Sequence, residues 1–163
     1  MITPISLQNL LDVMKMMAAT EKLIADFYRA CAEIWEEDRE FWMPIVQDEE
    51  KHALNIDRMA QIIALKPERF EICRPFNQLA IKTIMTGIEG NLKNLKEGRI
   101  DRNRLIIVAR DIEASVMEKY YGEIVRTNDV EYMNLVKEVT SETSNHKKKI
   151  EQRLQSLKAG GKS

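Results

Sequence analysis

Residues 48–53 read Asp48-Glu49-Glu50-Lys51-His52-Ala53, and the reading of this hexapeptide decides the fold. Glu49 and His52 are three residues apart, so on a helix they share one face, ~4.5 Å apart along the axis. The apolar residues around them are Trp42, Ile45, Ile56, Met59 and Ile63. With Glu49 and His52 included, the stripe keeps a strict 3-4 alternation, whereas Glu50 and Lys51 fall off it. A carboxylate and an imidazole on a buried stripe cannot stay bare, because an unpaired buried charge is costly. They need a metal or a partner.

Working outward, the stripe predicts a helix over about 39–65, ended by Lys66-Pro67, with Pro44 tolerable only near the first turn. A preceding helix over about 6–35 carries Leu10, Met14, Met17, Glu21, Ile24, Tyr28, Cys31 and Trp35 in 4-3 alternation, and Glu21 is its polar interruption. Residues 36–39 form a short turn. Residues 66–99 form a long connection holding an amphipathic helix over about 76–96 (Ile81, Met85, Ile88, Leu92, Leu95), with Gly98 at its end. A helix over about 102–126, N-capped by Asp101, carries Ile106, Ala109, Glu113, Val116 and Tyr120. The last helix spans about 129–158, after an Asn128 cap with Glu131 three residues on. Its stripe is Val136, Val139, Thr143, His146, Ile150 and Leu157, with Arg153 as the one charged member. Residues 159–163 read as a frayed tail.

The chain repeats itself. Glu21 precedes Tyr28 by seven residues and Glu113 precedes Tyr120 by seven, two helical turns, so each Tyr lies on the face of its Glu. His52 follows Glu21, and His146 follows Glu113, each on the next helix's stripe. Short links within each pair favour antiparallel hairpins. The long middle connection suits a crossover. The expected architecture is an all-α, single-domain four-helix bundle of two antiparallel pairs with a pseudo-two-fold axis and an extra helix on the crossover.

A Glu from each of two helices with Glu-x-x-His from each of the other two is the ligand set of di-iron carboxylate bundles. Through Glu21 with Tyr28, Glu49-x-x-His52, Glu113 with Tyr120, and His146, the chain resembles the ferritin-like superfamily, in its rubrerythrin-like branch, over about residues 6–155. The resemblance implies a non-haem di-iron or di-manganese centre, with Zn also compatible with the donors. It implies oxidoreductase chemistry on peroxide or dioxygen. Glu21 and Glu113 would be terminal ligands, Glu49 a bridge, and His52 and His146 nitrogen donors. An external electron-donor protein would be needed, since the chain has no Cys-rich module.

The second Glu-x-x-His departs from the pattern: it reads Thr143-Ser144-Asn145-His146. Four carboxylates would neutralise two divalent ions, whereas Glu21, Glu49 and Glu113 leave one positive charge over. A weaker second metal, or a single ion, and a solvent-derived bridge are the expectations. Glu142 lies four residues before His146 but ~100° around the helix from Thr143, which makes it a poor substitute.

Composition sets the remaining bounds. A length of 163 residues with 44% hydrophobic and 31% charged residues, six Gly and four Pro fits one helical domain. A net charge of −1 points to no nucleic-acid or membrane-surface partner. The absence of a long apolar run or a signal-peptide pattern leads to an expected cytoplasmic location. Cys31 and Cys73 form no Cys-x-x-Cys and read as free thiols, Cys31 in the core. The Lys147-Lys148-Lys149 run reads as a solvated face. The alternative function is a metal-poor bundle serving as a binding or structural dimer, and a homodimer is expected in either case. Iron storage would instead need a closed many-subunit shell.

Overall fold

The computed structural model describes residues 2–74, 77–115 and 121–160. Among these the chain is all-α apart from one two-stranded sheet. Helix α1 (Pro4–Ile34) opens with Pro4 at its first position and Thr3 as N-cap. Thr3 and Ser6 satisfy each other's backbone N–H groups in a capping box, so the helix starts two residues earlier than the stripe suggested. A 3-10 turn (Glu36–Asp38) leads into α2 (Arg39–Leu65). Pro44 lies in the second turn rather than the first, on the exposed side, where its missing N–H leaves the Glu40 carbonyl without a helical donor.

Helices α1 and α2 pack antiparallel along their length; Lys22 meets Asp57 at one level and Arg29 meets Glu50 at another. After a 3-10 turn (Pro67–Arg69) and strand β1 (Phe70–Ile72), helix α3 (Gln78–Lys96) runs against α1. It buries Ile81, Ile88 and Leu95, one residue every two turns. Gly98, at φ +71°, closes the helix end in the left-handed region, as the sequence suggested. Helix α4 is described over Arg102–Ser115, and the Asp101 carboxylate accepts from the Arg104 N–H at 2.8 Å, the expected cap. Val116 and Tyr120 lie outside the described residues.

A short α5 (Tyr121–Ile124) is followed by β2 (Val125–Thr127) rather than by helix up to residue 126. The β-branched Val125 and Thr127 pair antiparallel with Ile72 and Phe70, and Arg126 sits opposite Glu71 with a 3.0 Å ion pair. The sequence reading missed this ladder. Helix α6 (Val130–Gly160) is capped by Asp129, not Asn128: the Asp129 carboxylate accepts from the Tyr132 N–H at 3.1 Å. It continues to Gly160, past the expected fraying point.

Helix α6 packs against both α4 and α2, antiparallel to α2. The chain therefore has two ends. At one, Asp38 in the α1–α2 turn binds Arg102 at the start of α4 and Arg153 late in α6. At the other, Asp129 meets Lys66 and Arg69 beside the sheet. The α3 crossover connects the two ends. Arg153 also lies over the Phe41 ring, which accounts for a charge on the α6 stripe. Cys31 is buried and Cys73 exposed, both free thiols. No described helix is long and apolar enough to cross a membrane.

Candidate metal centre

Among the described residues the core forms two apolar clusters. The first gathers Ile24–Ala32 of α1, Trp42–Val46 of α2, Leu105–Ile112 of α4, and Ile150 and Leu154 of α6. The second gathers Leu10–Ala18 of α1, Ile56–Ile63 of α2, and Tyr132 and Val139 of α6. Between them, on every one of these helices that reaches the level, lies a buried polar residue. These are Glu21, Glu49, His52, Glu113, Thr143 and His146, none more than 3% exposed. The amphipathic repeats bury this layer because each member occupies a position that its helix's apolar periodicity turns inward.

All five residues singled out from the sequence meet there. Ligand-type atoms of Glu21, Glu49 and His52 lie within 4.8 Å of one another, and so do those of Glu49, Glu113 and His146. Glu49 belongs to both trios. Its Oε2 is 3.1 Å from His52 Nδ1 and its Oε1 is 3.0 Å from His146 Nδ1. The two imidazoles stack with centroids 5.7 Å apart.

The outer nitrogens are also engaged. His146 Nε2 is 2.9 Å from Asp48 Oδ2 and His52 Nε2 is 2.8 Å from Glu142 Oε2. Each acid lies four residues before the His of its own helix and serves the His of the other helix. Glu142 thus meets His52 rather than filling the place of Thr143, and Asp48, which lies off the apolar stripe, has the same role at His146. The signal available was the repeat itself, in which an acid four residues before each His is matched. An imidazole with one nitrogen facing inward and the other held by a carboxylate is how metal-ligating histidines are oriented. Glu142 is further tied to Lys51 at 2.9 Å.

Tyr28 does not serve Glu21 on its own helix. It crosses the core and donates to Glu113 Oε1 at 2.6 Å while stacking on Trp42, centroids 5.2 Å apart. Burial and the Glu113 carboxylate raise the phenol well above its ordinary value, so it remains a donor. Burial would push Glu49 up, but hydrogen bonds from His146 and His52 outweigh it and hold the carboxyl well below the usual range. Burial would lower His146, but Glu49, then Glu113 and Asp48, raise it to about 9. Thr143 is buried at the level of the layer, and its hydroxyl donates back to the Val139 carbonyl at 2.9 Å.

The residues present could therefore hold a metal ion: three buried carboxylates and two oriented imidazoles form two triads that share Glu49. No protein-family model, curated protein or solved structure matches the chain.

Proposed function

We propose that this chain is a metal-binding helical bundle whose buried layer holds a pair of iron or manganese ions, and that it acts as an oxidoreductase on peroxide or dioxygen. The observation that carries the reading is the pair of buried triads sharing Glu49. The ferritin-like, rubrerythrin-like resemblance of the sequence supports the choice of redox metal. Glu21 and His52 would hold one ion, Glu113 and His146 the other, with Glu49 between them. A bound pair of this kind would supply electron transfer to an oxygen-containing substrate. The work of the chain itself is orientation and burial of the donors. Asp48 and Glu142 fix the imidazoles, Tyr28 holds Glu113, and apolar clusters flank the buried layer.

A second reading has its own support. Glu49 meets both imidazoles with its two oxygens, and Asp48 and Glu142 meet their outer nitrogens. Such a polar network can exist for specificity alone, in a bundle that binds a partner or dimerises. Elemental analysis of protein purified anaerobically, without chelators or affinity metals, separates the two. About two equivalents of iron or manganese per chain are expected, lost in Glu49→Ala/His52→Ala; one equivalent would indicate a half-site. No metal after reconstitution would leave the network reading.

A further inference from the structure

The two imidazoles of the layer are anchored from outside in unlike ways. His146 Nε2 meets Asp48 at 2.9 Å, and among the described residues no Lys or Arg binds Asp48. His52 Nε2 meets Oε2 of Glu142 at 2.8 Å, and Oε1 of the same carboxylate accepts from Lys51 Nζ at 2.9 Å. Lys51 also binds Glu138, one turn before Glu142 on α6. The other oxygen of Glu138 accepts from Asn55 of α2 at 3.3 Å. An ammonium with several donors is thus held between two carboxylates a turn apart, one of which has its second oxygen on a ring nitrogen. The repeat puts the neutral Asn145 where Lys51 stands, directly before the His.

The contribution of Lys51 is geometry more than stability. Its side chain and that of Glu138 are 46% and 38% exposed, and ion pairs this exposed contribute little. A glutamate has several rotatable bonds, and holding it in one rotamer opposes its entropy. Glu142 is part-exposed, so with only one oxygen engaged it can turn to water. With both oxygens engaged the carboxylate plane is fixed. The ring of His52, whose Nδ1 faces Glu49, is fixed with it. Charge alone acts in the opposite direction. A cation beside the layer opposes a bound metal ion, and its removal would favour one. Direction therefore separates the two roles.

We propose that Lys51 is a positioning residue for the His52 half of the layer: through Glu142 it holds the imidazole with Nδ1 turned inward, set for a metal ion. The His146 half has no counterpart among the described residues. The inference rests on the metal-binding reading above. The event at the ring is coordination, with no covalent change.

The chain has two histidines, so each ring can be followed separately. Zn(II), which is diamagnetic, is titrated into the isotope-labelled full chain, and the ring nitrogens are observed by NMR, assigned with His146→Gln. Lys51→Met is expected to weaken Zn(II) at His52 by ~3–10-fold, while the affinity read at His146 changes by less than ~2-fold. In the metal-free protein the same variant is expected to shift the ring signals of His52 more than those of His146. Lys51→Arg, which keeps donors for both carboxylates, is expected to restore binding to near the wild type. Melting curves identify any variant that does not fold, and Lys51→Ala takes the place of Lys51→Met if that one fails. Zn(II) held at His52 as tightly as in the wild type, or more tightly, once Lys51 is removed would overturn the proposal and leave an ordinary surface ion pair. So would equal losses at both rings, or a folded Lys51→Arg no better than Lys51→Met. Zn(II) that moves neither ring of the wild type would overturn the metal-binding reading and this inference with it.

Discussion

Glu49 is the residue through which both halves of the buried layer communicate, since each of its oxygens meets one imidazole. Glu49→Gln offers one acceptor and one NH2 group, so one ring nitrogen faces a donor in a dry site. Loss of about 1–3 kcal/mol in urea denaturation of the metal-free protein is expected; an unchanged midpoint would mean that water, not Glu49, satisfies the rings. Tyr28→Phe removes only the hydroxyl that donates to Glu113, and about 1–3 kcal/mol is again expected, because the acceptor is a carboxylate. Its near-isosteric ring keeps the stack on Trp42, so a much larger loss would indicate collapse of the aromatic cluster instead. Glu21, Glu49, His52, Glu113 and His146 were legible because each breaks an apolar stripe in register. Periodicity reports which face a residue takes, not what stands across from it. The spacing therefore points Tyr28 to the Glu of its own helix whereas its partner is Glu113, and it gives no signal for Asp48, off the stripe and partly exposed.

Among the elements, the α1–α2 turn has the widest reach, because Asp38 accepts two 2.7 Å bonds from Arg102 of α4 and also binds Arg153 of α6. Hydrogen bonding to Arg102, more than the charges of Arg102 and Arg153, holds the Asp38 carboxyl below its ordinary value against the opposing effect of burial. A carboxyl lowered on folding contributes stability that is full above its unfolded value and lost as the pH falls through the folded one. Asp38→Asn is therefore expected to be destabilised by about 1–2 kcal/mol at neutral pH. The gap to wild type should close as the pH drops below the usual aspartate range; a gap that persists in acid would show that shape rather than charge ties the turn. Helix existence and stripes were legible here, and so were the Asp101 cap and the Gly98 stop. The Phe70–Ile72 and Val125–Thr127 ladder was not, because three-residue strands give too short a period to register against long helices, and their pairing joins segments far apart in sequence.

On the scale of the whole molecule, the arrangement of two apolar clusters with a polar layer between them says what the fold was shaped to keep. Hydrophobic burial alone would join the clusters. A buried ionic layer of this size is seldom a source of net stability, because desolvation offsets the attraction between its charges. The antiparallel packing of α1 and α2 follows from their short link, and the long connection after α2 carries α3 as its length suggests. That the layer divides the core could not be read from any single helix, because it emerges only when four separate interruptions come to one level. If the layer exists to hold ions, replacing it with apolar side chains should leave the bundle at least as stable. Glu21→Leu, Glu49→Leu, His52→Leu, Glu113→Leu and His146→Leu, combined in one chain with Tyr28→Phe so that no buried hydroxyl loses its acceptor, are expected to raise the guanidinium unfolding free energy of the metal-free protein by about 1–4 kcal/mol and to abolish metal uptake. A variant that is less stable, or that loses its cooperative transition, would show instead that the network specifies the packing of α2 against α6, and would favour the structural reading. Guanidinium is the denaturant of choice, because its ionic strength screens exposed pairs such as Arg58 with Glu131 and leaves the buried layer as the main difference between the two chains.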